Sequence, residues 1–273
     1  MLTLGLVQLD IGPAGDVTGE TVVRELESLG IGKGLVLLPE LFHTPYSMLP
    51  GSGITLDAPP VRRLRAFTAD RPALLVCGSV ALRGADRLRN TLVVFHRGEA
   101  TPVYEKVHLF SPMDEARFME PGNRLSVADV RWDDETWRVG FAVCYDLRFP
   151  EWFRLLREAG CDLVVVPAQW PTPRNTAWTT LLAARAVENQ CFVLGVNRTG
   201  EDQGVPFGGH SGVYGPSGAR VGGMGDAPGV SRVEIDRRVP AQARARFDSL
   251  LDRRADAYRL SGLLPLDIFR FTV

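Results

Sequence analysis

The sequence predicts an α/β fold with mixed sheets, and three observations carry that prediction. Short apolar runs of the length of a buried strand recur from end to end. Between them lie stretches whose apolar residues return every three to four positions, the period of an amphipathic helix. The tripeptide Arg97-Gly98-Glu99 joins two strand-like runs by a turn too short for a helical crossover, so at least one strand pair is antiparallel. Gly and Pro are scattered instead of marking a linker, and no repeat divides the chain, so 1–273 reads as a single domain.

Taken in order, Leu2–Gln8 is a core strand. The opening Met1-Leu2-Thr3-Leu4-Gly5-Leu6-Val7 has neither the basic start nor the small-residue cleavage site of a signal peptide. A helix fits 19–29, a strand 35–38 and a second helix 60–69. Strands follow at 73–80, 91–96 and 101–105, the last two flanking the short turn. A strand at 137–143 leads to a helix at 150–159, where Pro150 occupies the first turn and its missing N–H costs nothing. After a strand at 163–167, Asn175–Asn189 reads as a helix: Trp178, Leu181, Leu182, Ala186 and Val187 form one stripe. Strands at 192–196 and 231–235 and a helix at 240–255 complete the series. Residues 200–209 are polar and Gly-rich and read as a mobile loop near a pocket mouth. The C-terminal segment, about 257–273, is too apolar for a free tail and is expected to pack on the body or on a partner subunit.

Composition excludes several function classes. A net charge of -1 gives no electrostatic footing on nucleic acid or an anionic membrane. No apolar run is long enough to span a bilayer, and a cytoplasmic location is expected. The four cysteines, Cys77, Cys144, Cys161 and Cys191, form no CxxC pair, which argues against a structural zinc. Three of them lie in apolar stretches, as small core hydrophobes do.

Three apolar runs, however, stop at residues able to do chemistry. Leu35-Val36-Leu37-Leu38-Pro39 ends at Glu40, Thr101-Pro102-Val103-Tyr104-Glu105 at Lys106, and Val139-Gly140-Phe141-Ala142-Val143 at Cys144. Ligands gather beyond the carboxyl ends of strands in α/β sheets, so a carboxylate, an ammonium and a thiol are expected in one pocket. Cys144 precedes a sharp turn before the helix opened by Pro150, a geometry that exposes a nucleophile. Nearby N–H groups and a cation there are expected to lower its pKa. Glu40, after consecutive apolar residues, suits a partly buried general base of raised pKa. Lys106 is one of only two lysines in an arginine-rich chain, and a compact ammonium suits an oxyanion. A Cys/His pairing through His43 or His108 is the alternative, while His96 reads as structural.

Leu38-Pro39-Glu40-Leu41-Phe42, Glu105-Lys106-Val107-His108-Leu109-Phe110 and Cys144-Tyr145-Asp146-Leu147-Arg148-Phe149-Pro150 resemble, in order and spacing, the three catalytic motifs of the nitrilase superfamily, the carbon–nitrogen hydrolases. Blocks at 166–171, 184–190 and 196–198 extend the resemblance over nearly the whole chain. It implies a four-layer α-β-β-α sandwich, pairing into a homodimer or higher oligomer through a helical face, with no metal or organic cofactor. It also implies that Cys144 attacks a carbonyl to form a thioester and that Glu40 acts as base and then acid. Lys106 would stabilise the oxyanion with the backbone N–H of Tyr145. The family's second glutamate falls on Glu115, beside Asp114.

Within the superfamily, the residues after Cys144 resemble the amidase branches, and the spacing to Glu115 with Trp170-Pro171 and Arg174 is most similar to bacterial ω-amidases. These hydrolyse 2-oxoglutaramate or 2-oxosuccinamate to acid and ammonia. Residues 11–31 depart from the resemblance, being short and Gly-rich where relatives carry a longer helix. A carboxylated amide needs a cation and an apolar wall: Arg174 is the candidate cation, and Phe42, His43, Phe118 and Trp170 the candidate wall. Arg148 reads instead as an ion pair bracing the turn. Hydrolysis of an N-carbamoyl amine is the nearest rival, and a non-catalytic interaction module is the rival from another class.

Overall fold

The computed structural model describes residues 1–12, 15–16, 18–45, 53–254 and 266–272. In chain order the elements are β1 (Leu2–Gln8), α1 (Glu20–Leu29), β2 (Gly34–Leu37), α2 (Pro59–Ala69), β3 (Leu74–Arg83), β4 (Leu88–His96) and β5 (Glu99–Glu105). There follow β6 (Leu125–Trp132), β7 (Glu135–Phe141), α3 (Pro150–Glu158), β8 (Leu163–Ala168), α4 (Asn175–Asn189) and β9 (Phe192–Asn197). The last are β10 (Thr199–Asp202), β11 (Val205–Gly208), β12 (Gly212–Tyr214), β13 (Arg220–Gly223), β14 (Gly229–Ile235), α5 (Arg238–Arg246) and β15 (Leu266–Thr272).

Two mixed sheets result, with strand orders β14-β1-β2-β3-β4-β5 and β13-β12-β9-β8-β7-β6-β15. β1, β2 and β3 run parallel, as do β7, β8 and β9, while β4 and β5 form the antiparallel hairpin expected at Arg97-Gly98-Glu99. The period of two along a strand decides the layering. Leu35 and Leu37 of β2, with Leu75 and Cys77 of β3, face a core shared with the second sheet. Val36 of β2 and Leu74 and Val76 of β3 face Val22 and Leu26 of α1 and Val61 and Leu64 of α2. Trp152, Phe153 and Leu156 of α3 and Trp178 and Leu182 of α4 join the core of the second sheet. The layers are therefore α-β-β-α. Gly195 of β9 shows how tightly they close: a Cβ there would lie 2.6 Å from Leu182 and 2.8 Å from Trp178. Among the described residues no helix is long and apolar enough to cross a membrane.

Two expectations need correction. Residues 200–209 are not a loose loop: β10 and β11 pair antiparallel, and Phe207 bridges to Pro171. The polar Gly-rich composition is that of a hairpin with a turn at Gln203-Gly204, both at positive φ. The helix expected over 240–255 is α5 only, because Phe247 takes extended backbone and Asp248 is drawn to Arg157 at 2.8 Å; Ala255 lies outside the described residues. β6, whose apolar residues change face between Val127 and Val130, and the short β12 and β13 are not among the strands expected from the sequence. Of the C-terminal segment, 257–265 and 273 lie outside the described residues. Leu266–Thr272 adds β15 in parallel to β6 at the sheet edge, and Phe271 meets His96 edge-on.

Candidate active site

The ends of β2, β5 and β7 point to one place, and each is fixed locally. Beyond β2, Leu38 N–H donates to Cys77 O at 2.7 Å and Leu41 N–H to Ser79 Oγ at 2.9 Å. Leu41 takes φ 46°, a costly left-handed value for a leucine, which turns the chain directly after Glu40. Beyond β5, Lys106 N–H donates to Asn90 O at 2.9 Å, and Gly122 N–H donates to Lys106 O at 2.8 Å. Gly122 approaches so closely that a Cβ would lie 2.3 Å from Glu105 O. Beyond β7, Cys144 has φ 46° and opens a 3-10 turn, Cys144–Arg148, ahead of α3.

These turns bring an acid, an amine and a thiol together away from solvent. Glu40 and Lys106 are fully buried, Glu115 is 4% exposed and Cys144 is 7% exposed. Lys106 Nζ donates to Glu40 Oε1 at 3.0 Å and to Glu115 Oε1 and Oε2 at 3.0 and 2.9 Å. Glu115 opens the second of two short 3-10 turns, which Asp114 joins at φ 53°, and its Oε2 also accepts Phe110 N–H at 2.6 Å. Glu40 accepts further bonds from Asn90 Nδ2 at 2.7 Å and Gln169 N–H at 2.9 Å. The Cys144 thiol donates to Gln169 O at 3.8 Å and lies near enough to the Glu40 carboxylate for each to act on the other's pKa.

Burial raises the Glu40 pKa above its ordinary value, partly opposed by Lys106. The Cys144 thiol is pushed well above its ordinary range by burial and by the neighbouring Glu40 charge, with Lys106 opposing. That corrects the expectation of a lowered thiol pKa: desolvation of the thiolate outweighs the single adjacent cation. Such a pair can pass a proton between sulfur and carboxylate, and it does not favour a standing thiolate.

Cys144 lines a narrow cleft walled by Phe110, Tyr145 and Trp170 and rimmed by Arg148 and Arg174. Tyr145, Trp170 and Arg174 are therefore where the sequence expects them. Phe42 is not: the turn at Leu41 sends it into the core beneath the helices, 6.5 Å from Phe95. His43 is buried edge-on to Phe42, and Phe118 is exposed outside the cleft lining, with Arg117 over its ring. Among the described residues Arg148 has no acidic partner, so an ion pair does not brace the turn there. Its guanidinium lies 5.0 Å from the Trp170 ring centroid, and Arg174 sits 5.4 Å from that of Phe110. The Cys/His alternative loses His108, whose Nδ1 is engaged by Asp146 at 2.7 Å. Sequence reasoning missed Asn90 and Gln169. Gln169 follows another apolar strand end, Val164-Val165-Val166-Pro167-Ala168, and that signal was available; Asn90 inside β4 gave none.

Among the described residues no group of His, Cys, Asp and Glu has an arrangement able to hold a metal ion. Residues 15–245 match the profile of the family described as carbon-nitrogen hydrolase. The chain is 32% identical to the 2-oxoglutaramate amidase of Bacillus subtilis (strain 168) over 94% of its own length and 99% of that protein. It is 34% identical to the omega-amidase YafV of Escherichia coli (strain K12), over 87% and 90% of the two chains. In three dimensions it is similar to XC1258 from Xanthomonas campestris, a CN-hydrolase superfamily protein solved with an arsenic adduct in its active site. The TM-score is 0.83 at 31% identity, covering 95% of this chain and 99% of the other.

Proposed function

The chain belongs to the carbon–nitrogen hydrolase family, and from that premise we propose that it is a cysteine-dependent amidase acting on a small carboxylated amide. The observation that carries the reading is the buried bond of Lys106 to Glu40 close behind the Cys144 thiol, which itself lines a cleft. Glu40 takes the thiol proton as sulfur attacks the carbonyl carbon. Lys106 faces the resulting oxyanion, with Tyr145 N–H as its companion donor. The tetrahedral intermediate collapses with C–N cleavage, Glu40 hands its proton to the leaving nitrogen, and ammonia departs. Water then attacks the thioester, Glu40 accepts its proton, and the acid leaves as the thiol is restored. Glu115 holds Lys106 in place through both carboxylate oxygens.

For the substrate, an ω-amide such as 2-oxoglutaramate or 2-oxosuccinamate is the proposal. The names of the Bacillus and Escherichia relatives support it, and so do two guanidinium groups on an aromatic rim. A carboxylate entering between Arg148 and Arg174 gains a charge-assisted bond and leaves its amide end over Cys144. The proposed setting is one cytoplasmic hydrolase domain, acting without cofactor and paired as a homodimer. A side-by-side ammonia assay on 2-oxoglutaramate, glutamine, a carbamoyl amine and a simple nitrile tests the substrate class. Turnover of the carbamoyl compound alone would contradict it.

A further inference from the structure

Asp146, two residues past the nucleophile, is fully buried and accepts four hydrogen bonds from two different sheets' chain segments. From its own turn comes Val143 N–H, 2.8 Å from Oδ2. From the segment carrying Lys106 come Tyr104 OH at 2.7 Å, His108 N–H at 3.0 Å and His108 Nδ1 at 2.7 Å. A carboxylate only accepts, so Nδ1 carries the proton. Val107 N–H adds a bond to Tyr104 OH at 3.3 Å, and the His108 ring stacks on Phe149 at 3.7 Å. The residues on both sides of Lys106 are thus fastened to the turn that carries Cys144.

We infer that Asp146 is a positioning residue of the proposed reaction, the tie that holds the Lys106 segment against the Cys144 turn and so fixes the ammonium relative to the attacked carbon. The inference rests on the amidase reading. Lys106 stands on the first sheet and Cys144 on the second, so their separation is set by whatever crosses between the sheets at this point. Glu40 links them too, but through groups that gain and lose protons at every turnover. Asp146 sits behind the reacting atoms and is itself sealed from water. A buried N–H left without a partner shifts to find one. A displacement of about 1 Å at a catalytic group costs on the order of 10²-fold in rate.

The test uses the purified full chain and p-nitrophenyl acetate. This ester acylates the thiol through the same oxyanion, releasing p-nitrophenolate, while Glu40 takes the thiol proton. Reactive sites are counted by the burst, and the maximal acylation rate per site is compared with the half-saturating concentration. For Asp146→Asn the expected result is a drop of about 10²-fold in rate per site, with half-saturation changed by less than about threefold. Combined with Lys106→Arg, the loss is expected to be much less than the product of the single losses, because both act on the same ammonium. Fewer reactive sites at an unchanged rate per site would make Asp146 a fold staple only and overturn the inference, as would fully multiplicative losses. Should Asp146→Asn fail to fold, Tyr104→Phe decides: a fall of about tenfold per site supports the tie, and an unchanged rate refutes it. A wild-type protein acylated by the ester yet inert toward every amide would sink the substrate reading while leaving this test intact. One inert to both would sink the two together.

Discussion

The Glu40 carboxylate and the Cys144 thiol are neighbours in a site where both are buried, and burial pushes the pKa of each upward. A proton between two groups raised together stays on sulfur until a substrate carbonyl arrives, and the carboxylate is then the stronger acceptor. The resting enzyme accordingly keeps a thiol, and reactivity appears only with a polarised carbon in the cleft.

The first consequence is a pH profile. Glu40 must be ionised to accept the proton, and its pKa lies above the ordinary value of 4.5. The rate kcat/KM is therefore expected to rise with pH along an acid limb centred above 4.5, and to be low beneath it. In Glu40→Gln that limb disappears along with at least about 10²-fold of the activity. A limb centred below 4.5, or one persisting in the Gln variant, would reassign the base.

Labelling by iodoacetamide should single out one thiol. Cys77, Cys161 and Cys191 are at most 1% exposed, and burial pushes Cys77 and Cys191 up to about 12. Cys144 alone lines the cleft. Peptide mapping after labelling of the folded protein at pH 7 is expected to find the adduct on Cys144. The rate should climb with pH, as the raised pKa of this thiol requires. Equal labelling of all four cysteines would contradict the cleft geometry.

Lys106 holds two acidic side chains at once, so its removal has a structural cost. In Lys106→Met, Glu40 and Glu115 face each other without a counter-charge in a site sealed from water. Breaking such a buried pair costs about 3–5 kcal/mol, which should appear in the urea midpoint along with loss of turnover. Lys106→Arg keeps the charge but cannot seat a planar fork where a compact ammonium fits. It is expected to lose about 10²–10³-fold in kcat with a smaller fall in stability. Wild-type kcat in the Arg variant would remove Lys106 from the oxyanion site.

The two rim arginines should discriminate between substrates. Arg148→Ala and Arg174→Ala are each expected to raise KM for a carboxylated amide by about tenfold, the loss of one charge-assisted bond. The same variants should leave a neutral amide of similar size nearly unaffected. Equal losses on both substrates would mean that these side chains only pack the rim.

Much of this site was legible because strand ends are legible. Glu40, Lys106 and Cys144 each close an apolar run, and parallel strands of one sheet, or of two facing sheets, deliver such ends to a common place. What escaped was set by backbone that no periodicity records. Phe42 follows Leu41, whose positive φ turns the next side chain into the core, so a residue two past the acid is not in the cleft. The Cys144 pKa was misjudged because the sequence displays its cation and not its burial. Asn90 comes from the middle of β4 and approaches Glu40 only through the register of neighbouring strands. The short strands β12 and β13 likewise owe their existence to pairing, β12 with β9 and β13 with β12, not to their own composition.

The most direct measurement is ammonia release from 2-oxoglutaramate by purified Cys144→Ala beside the wild-type protein, with circular dichroism to confirm that both are folded. The expected result is steady release by the wild type and none above background from the variant. Release by a folded Cys144→Ala protein at a rate near that of the wild type would contradict the thioester route and, with it, the role given to every neighbouring group.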